Sequence, residues 1–363
     1  DRAHRHHPDA TPPALALVAH YQRHGNTLEA LDIARKTALS HPRDPQVLKT
    51  LAHAQLQAGE EKEALATLRS LVEVAPQSAE AHYQLALMQA KLKKSKESRA
   101  GLEKALALQP DYPAAQLALG RLDIKARNFD AALNTAKDLK NAHPDAAYGH
   151  ELEGDIAYSR REFEQAAAAY VIAAAKAGST ALATKLFRSR LKAGEQDAAY
   201  QGLREWLAVH PEDSRLRTAL AMALHRAGEE QAAMQEYLKV LEYDPDNVNV
   251  LNNLAWLYHD AGNPQAIKYA ERAHELAPQR AEITDTLGWL LVEHGEVNRG
   301  LVLLQEAAVK APHMPEIRSH MVVALDKAGR RDEARKELDR LLKSGKTFPE
   351  MDKAKMLQEQ WAG

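Results

Sequence analysis

Prolines at Pro8, Pro42, Pro76, Pro110 and Pro144 follow one another at a constant step of 34 residues, and this register constrains the fold more than any other feature of the chain. The series resumes at Pro211, Pro245, Pro278 and Pro312, and the gap is filled near Gly178 by another helix-breaking stretch, Ala-Gly-Ser-Thr. A fixed period of this size marks a chain built from one supersecondary unit, stacked because a single unit cannot bury its own apolar face. A second series, Gly25, Gly59, Gly194, Gly228, Gly262, Gly295 and Gly329, runs about half a repeat out of phase. Each unit is therefore predicted to be a helical hairpin, with glycine after its first helix and proline after its second. Glycine accepts the positive φ that follows a helix end, whereas proline cannot donate the next helical hydrogen bond. Lys93, Arg127 and Arg161 replace the glycine in three repeats, so those turns are expected to be strained or different.

Between these marks the apolar residues fall at helical spacing. In the eighth repeat Leu251, Leu254, Ala255 and Tyr258 share one face of the first helix, and Ala266, Tyr269, Ala270 and Ala273 answer on the second. A small residue recurs where the two helices cross, at Ala52, Ala86, Gly120, Gly154, Ala221, Ala255 and Gly288. An alanine recurs on the second helix at Ala30, Ala64, Ala132, Ala166, Ala199, Ala233 and Ala334. This pattern resembles the tetratricopeptide repeat (TPR). The resemblance implies an all-α, right-handed TPR superhelix, an α-solenoid of about ten helical hairpins with a C-terminal capping helix. Phe187 stands at the small position of the sixth repeat, with Arg188 after it, which makes that hairpin's helix spacing the exception. Residues 1–10 are expected to be the tail of an upstream repeat, residues 11–346 ten repeats, and residues 347–363 the cap, with Met351, Met356, Leu357 and Trp361 facing inward.

Composition removes several function classes. Aromatic residues are 5% and charged residues 27% of the chain, with a formal net charge of −2, so there is no global basic field to recruit nucleic acid. The longest apolar run, 166–175, is about half the ~20 residues that cross a bilayer, so no membrane span is expected. The absence of cysteine excludes disulfides, thiolate nucleophiles and cysteine-ligated metals. There is no glycine-rich phosphate loop, HExxH or GxSxG, so neither an enzyme nor a cofactor is expected. His4, His6 and His7 cluster near the N-terminus but read as solvated imidazoles rather than a metal site.

A stack of hairpins leaves a concave groove lined by the first helices, and such grooves hold a protein or peptide ligand. In the eighth repeat Asn249, Asn252, Asn253, Trp256 and His259 lie opposite the buried stripe; Glu282, Asp285, Thr286, Trp289 and Glu293 are their equivalents in the ninth. Trp256 and Trp289, at one repeat position in neighbouring hairpins, are read as an anchor site that the internal core does not need. The alternative is packing between repeats. Asparagine amides could read an extended backbone, since each offers a donor and an acceptor. Lys185, Arg188, Lys192, Arg215 and Arg226 form a second candidate face, a basic patch suited to an acidic peptide or an anionic polysaccharide. Trp206 and Trp361, on a second helix and on the cap, are assigned to packing.

The blocks Asn252-Asn-Leu-Ala-Trp-Leu-Tyr258, Ala-Glu-Arg-Ala-His-Glu-Leu-Ala-Pro278, Asp285-Thr-Leu-Gly-Trp-Leu-Leu291 and Gly329-Arg-Arg-Asp-Glu-Ala334 are similar to the C-terminal repeats of PrsT-type lipoproteins. These are TPR proteins of the PEP-CTERM/exosortase system and exopolysaccharide production in Gram-negative bacteria. The resemblance implies a periplasmic scaffold, anchored to the outer membrane through a segment upstream of Asp1 and serving polysaccharide export or protein sorting. Two alternatives stand beside it: a cytoplasmic adaptor or co-chaperone, and the regulatory repeat region of a larger protein. Against a carboxylate-clamp co-chaperone, Glu282 and Asp285 would repel the ligand's carboxylate.

Overall fold

The structure, a computed structural model, describes residues 11–343 together with residues 356, 358, 359 and 361. Among the described residues there are twenty α-helices and no strand. The helices pair in chain order. The first three hairpins are α1 (Thr11–Arg23) with α2 (Thr27–Ser40), α3 (Pro45–Gln57) with α4 (Glu61–Val74), and α5 (Ala79–Lys91) with α6 (Ser95–Leu108). Next come α7 (Pro113–Lys125) with α8 (Phe129–Ala142) and α9 (Tyr148–Arg160) with α10 (Phe163–Lys176), and then in the chain α11 (Thr180–Ala193) and α12 (Gln196–Val209). The last four are α13 (Ser214–Arg226) with α14 (Glu230–Tyr243), α15 (Val248–Asp260) with α16 (Gln265–Leu276), α17 (Ala281–Glu293) with α18 (Val297–Lys310), and α19 (Pro315–Lys327) with α20 (Arg331–Lys343).

Local chemistry sets these boundaries. Second helices end two residues before the repeat proline, at Ser40 before Pro42 and Val74 before Pro76, for example. The residue two places after the proline then caps the next first helix: Asp44 accepts from the Gln46 and Val47 amides, Ser78 from Ala81, Asp213 from Leu216 and Asn247 from Val250. Proline at the first helical position of α3, α7 and α19 needs no amide partner there. At the other turn the seven punctuating glycines all take positive φ. Lys93, Arg127 and Arg161 take the same left-handed conformation, with φ of 61°, 63° and 67°. The turn geometry is thus kept and the side chain carries the strain.

The chain divides into two compact units, Asp1–Ala199 and Tyr200–Gly363. Leu68, Leu102, Leu139, Leu152 and Tyr170 are fully buried in the first, and Leu216, Leu220, Leu224, Tyr237 and Leu254 in the second. The second-helix alanines from Ala30 to Ala334 are 1% exposed or less, which lets the paired helices approach closely. Phe187 is also buried, within the helix Thr180–Ala193. Trp206 packs as expected: its ring lies 4.1 Å from that of His210 and its Nε1 donates to Asp213 at 3.0 Å.

At the C-terminal end Trp361 is 9% exposed and packs with Ala334, Leu338 and Leu341 of α20. Arg335 donates to its carbonyl oxygen. Met356 is not inward as expected; it is 60% exposed. Its side chain falls on the solvent side of the turn, a phase that amphipathic spacing leaves open by one position. Met351, Leu357 and the His4, His6 and His7 cluster lie outside the described residues.

Candidate partner-binding faces

In the second unit the structure draws the eighth and ninth first helices together through the side chains singled out from the sequence. Trp256 Nε1 donates to Thr286 Oγ1 at 3.2 Å, crossing from α15 to α17. Trp289 stacks on His320 of α19, with ring centroids 4.4 Å apart and an interplanar angle of 21°. Trp289 also packs against two apolar clusters, one around Leu287 and Leu291 and one around Leu304 and Met321. The expectation that these tryptophans stand apart from the core is therefore corrected: both are partly buried and join successive hairpins. Their size is the reason, because an indole on a first helix reaches the next first helix of the stack.

The polar residues around them are also engaged. Asp285 is 7% exposed rather than open to the groove, and both its oxygens accept from His320 Nδ1, at 2.9 and 3.0 Å. Arg280 donates to Asn249 Oδ1 at 2.9 Å and forms an ion pair with Glu282. Asn253 donates to the Tyr237 hydroxyl at 3.0 Å. His259 sits between Trp256 and His294, with ring centroids 6.0 and 5.7 Å away. Asn252 alone retains a buried side-chain oxygen with no hydrogen-bond partner.

The basic candidates divide between the units: Lys185, Arg188 and Lys192 belong to the first, Arg215 and Arg226 to the second. Lys185 is not free. Its Nζ lies 2.8 Å from Glu151 Oε1 and 2.6 Å from Asp155 Oδ1, while Arg121 pairs with the same two carboxylates. Tyr170 donates its hydroxyl to Asp155 at 2.7 Å. Burial works against ionising Asp155, yet Lys185 and Arg121 hold its carboxyl below the ordinary value of 3.8. Burial, reinforced by Asp155, pushes the Tyr170 hydroxyl up. Arg188 lies over the Tyr158 ring, 5.9 Å from its centroid, and is exposed. The ion network thus ties α7, α9 and α11 together and consumes one of the expected cations.

An open site not singled out from the sequence lies in the first unit, across the first helices of the first three hairpins. It is a cavity of about 540 Å³ floored by Ala52, Leu56, Leu68 and Met88 and walled by Tyr83 and Leu87. Gln22, Lys49, His53, Gln84 and Lys91 form its polar rim. Lys49 pairs with Glu80 and Lys91 with Glu61, so the rim is close to neutral. Leu87 is 41% exposed. Ala19, His53 and Leu87 occupy, in their hairpins, the helix position that Trp256 and Trp289 occupy in theirs. Where the second unit fills this column with indoles, the first leaves a hollow. The signal in the sequence was an apolar i, i+4 pair, Tyr83 and Leu87, of which Tyr83 borders the core and Leu87 is left exposed.

Helical hairpins joined through left-handed turns, stacked first helix on first helix and hollowed along that face, define an α-solenoid of the interaction class. Tetratricopeptide repeat models match residues 21–92, 93–156 and 291–356, with further tetratricopeptide matches at 214–247 and 236–269. The first of these models alone covers more than half of the chain, which belongs to the tetratricopeptide repeat family. Among solved structures it is similar to one titled "Crystal structure of MamA protein", at 19% identity and a TM-score of 0.38, over 45% of this chain and 89% of that one. A search of curated proteins returns no match.

Proposed function

We propose that this chain is a non-catalytic scaffold that holds a segment of another protein along its first-helix faces, seated chiefly in the groove of the first three hairpins. The apolar-floored hollow of about 540 Å³ carries this reading. A folded chain fills such volume where it can, and here the adjoining Leu87 is left 41% exposed. A neutral rim of amide, imidazole and ammonium groups suits an apolar anchor flanked by backbone that needs hydrogen-bond partners. Asn249, Asn252, Asn253, Trp256, His259 and Trp289, each at least partly exposed, form a flatter second contact.

Panning a random peptide library on the protein tests the principal seat. Peptides with aromatic or branched apolar anchors are expected, with binding lost on Leu87→Asp at unchanged helicity. Binding that survives this change would remove the groove from the site.

The finer reading is that the scaffold works in the Gram-negative envelope, supporting exopolysaccharide production or export or PEP-CTERM protein sorting. Its support is the run of blocks around Asn252–Tyr258 and Asp285–Leu291 that resemble PrsT-type lipoproteins. Fractionation of cells expressing the full-length protein checks this: recovery with the outer membrane is expected, and recovery in the cytosol would favour the adaptor reading.

A further inference from the structure

Three successive hairpins keep a cation at the left-handed turn where the other repeats keep glycine: Lys93, Arg127 and Arg161, with φ from 61° to 67°. Glycine would relieve the strain at each. Two of these tips meet at an open cavity of about 520 Å³, lined by Arg127, Phe129, Ser159, Arg160, Arg161 and Glu162. The Arg160 and Arg127 guanidinium carbons lie 4.8 and 5.6 Å from the centroid of the same Phe129 ring. No described carboxylate pairs with Arg127, Arg160 or Arg161, whereas Arg121 and Lys185 on the first-helix face of the same unit are each paired twice. Two like charges gathered over one ring repel each other, and Glu162, the one acidic residue of the lining, forms no described ion pair with either.

We infer that the tips of the fourth and fifth hairpins form a second binding site, separate from the first-helix groove and independent of the reading given for it, which takes carboxylates of an acidic protein segment. The guanidinium fork matches a carboxylate in two parallel hydrogen bonds, and stacking on Phe129 holds two forks in place beforehand. The first helices α7 and α9 pack on one another. Packed helices lie about 8–10 Å apart, and an extended chain rises about 3.3 Å per residue, so acids at every third residue present one carboxylate to each tip. Glu162 in the cavity wall disfavours a continuous polyanion but tolerates isolated carboxylates. This sets a peptide with spaced acids above a polyuronate or a nucleic acid.

The test is fluorescence anisotropy at low salt with a labelled Gly/Ser peptide of about ten residues carrying glutamate at every third position. It uses the full chain, the variant Arg127→Gly/Arg161→Gly, and Arg160→Gln. The glycine variant removes two charges and two strained residues together, so it is expected to melt at the same or a higher temperature. Its affinity is expected to fall about tenfold or more, a loss of about 1.4 kcal/mol, with a smaller fall for Arg160→Gln. Equal affinity in all three proteins, or no binding by the wild type, would overturn the site. Tighter binding of polygalacturonate than of the peptide, abolished in the glycine variant, would overturn the acidic-peptide assignment.

Discussion

Replacing Gly300 by alanine tests how closely the ninth hairpin's helices depend on backbone contact. Gly300 on α18 faces Gly288 on α17. A Cβ added there would overlap the Gly288 carbonyl oxygen and lie 2.6 Å from Val292 Cγ2 and 3.0 Å from the Val292 amide nitrogen. Alanine gains about 1 kcal/mol over glycine in helix propensity. Against this, overpacking a filled interior costs about 1–3 kcal/mol, and more where the obstacle cannot rotate away. Two of the three nearest atoms here are backbone, so the helices themselves must separate, loosening the buried Leu301 and Leu304. The net expectation is a destabilisation of about 1–3 kcal/mol at this hairpin. Gly101→Ala is the milder comparison: its Cβ would meet the Ala86 methyl at 2.9 Å, so something must shift there too, but the nearest backbone oxygen, of His82, is at 3.5 Å, and the cost is expected to be smaller than at Gly300. Repeat arrays unfold in parts, so the readout is amide hydrogen exchange resolved by segment, with urea unfolding alongside. Protection across α17 and α18 should fall in Gly300→Ala, and by more than it falls in the corresponding segment of Gly101→Ala. Protection in Gly300→Ala equal to or above the wild type would refute the close-approach argument.

Other perturbations follow from single contacts. Leu254 is fully buried, and Leu254→Ala should cost about 2–5 kcal/mol locally, seen as earlier exchange of α15 and α16; an unchanged profile would remove it from the core. Arg161→Gly should stabilise the fifth hairpin by about 1 kcal/mol through relief of its left-handed backbone, read as a higher urea midpoint; a lower one would mean the side chain makes a contact of its own. Asp155 has a folded pKa below its ordinary 3.8, so its contribution is present above that value and lost as pH falls through the folded pKa. Melting temperature should therefore fall less steeply below about pH 4 in Asp155→Asn than in the wild type, and parallel curves would count against the Lys185–Asp155–Arg121 network. His274 is held below its ordinary 6.5 first by burial, so the unfolded state takes up its proton sooner as pH drops. The second unit should lose stability just below pH 6.5, and His274→Gln should flatten that slope.

The sequence by itself determined the class of fold, the repeat length and the place of nearly every turn, because these rest on local rules. Proline lacks a donor, a residue after a helix end takes positive φ, and Asp, Ser and Asn cap the next helix, each within a few residues of chain. It also marked the crossings, since Ala255 and Gly288 sit where helices touch and only small residues let them approach. Which first-helix residues are open to a partner could not be read this way. Whether Trp256 faces solvent depends on Thr286 one repeat away, and whether Asp285 is free depends on His320. The charge on Lys185 is likewise spent on Glu151 and Asp155, about one period earlier in the chain. Periodicity records that a residue lies on a face. What fills the space beyond that face is set by side chains of the next hairpin, whose sizes vary independently of the period. For this reason only the tertiary structure showed a hollow at His53 and Leu87 where the same helix position elsewhere carries tryptophan.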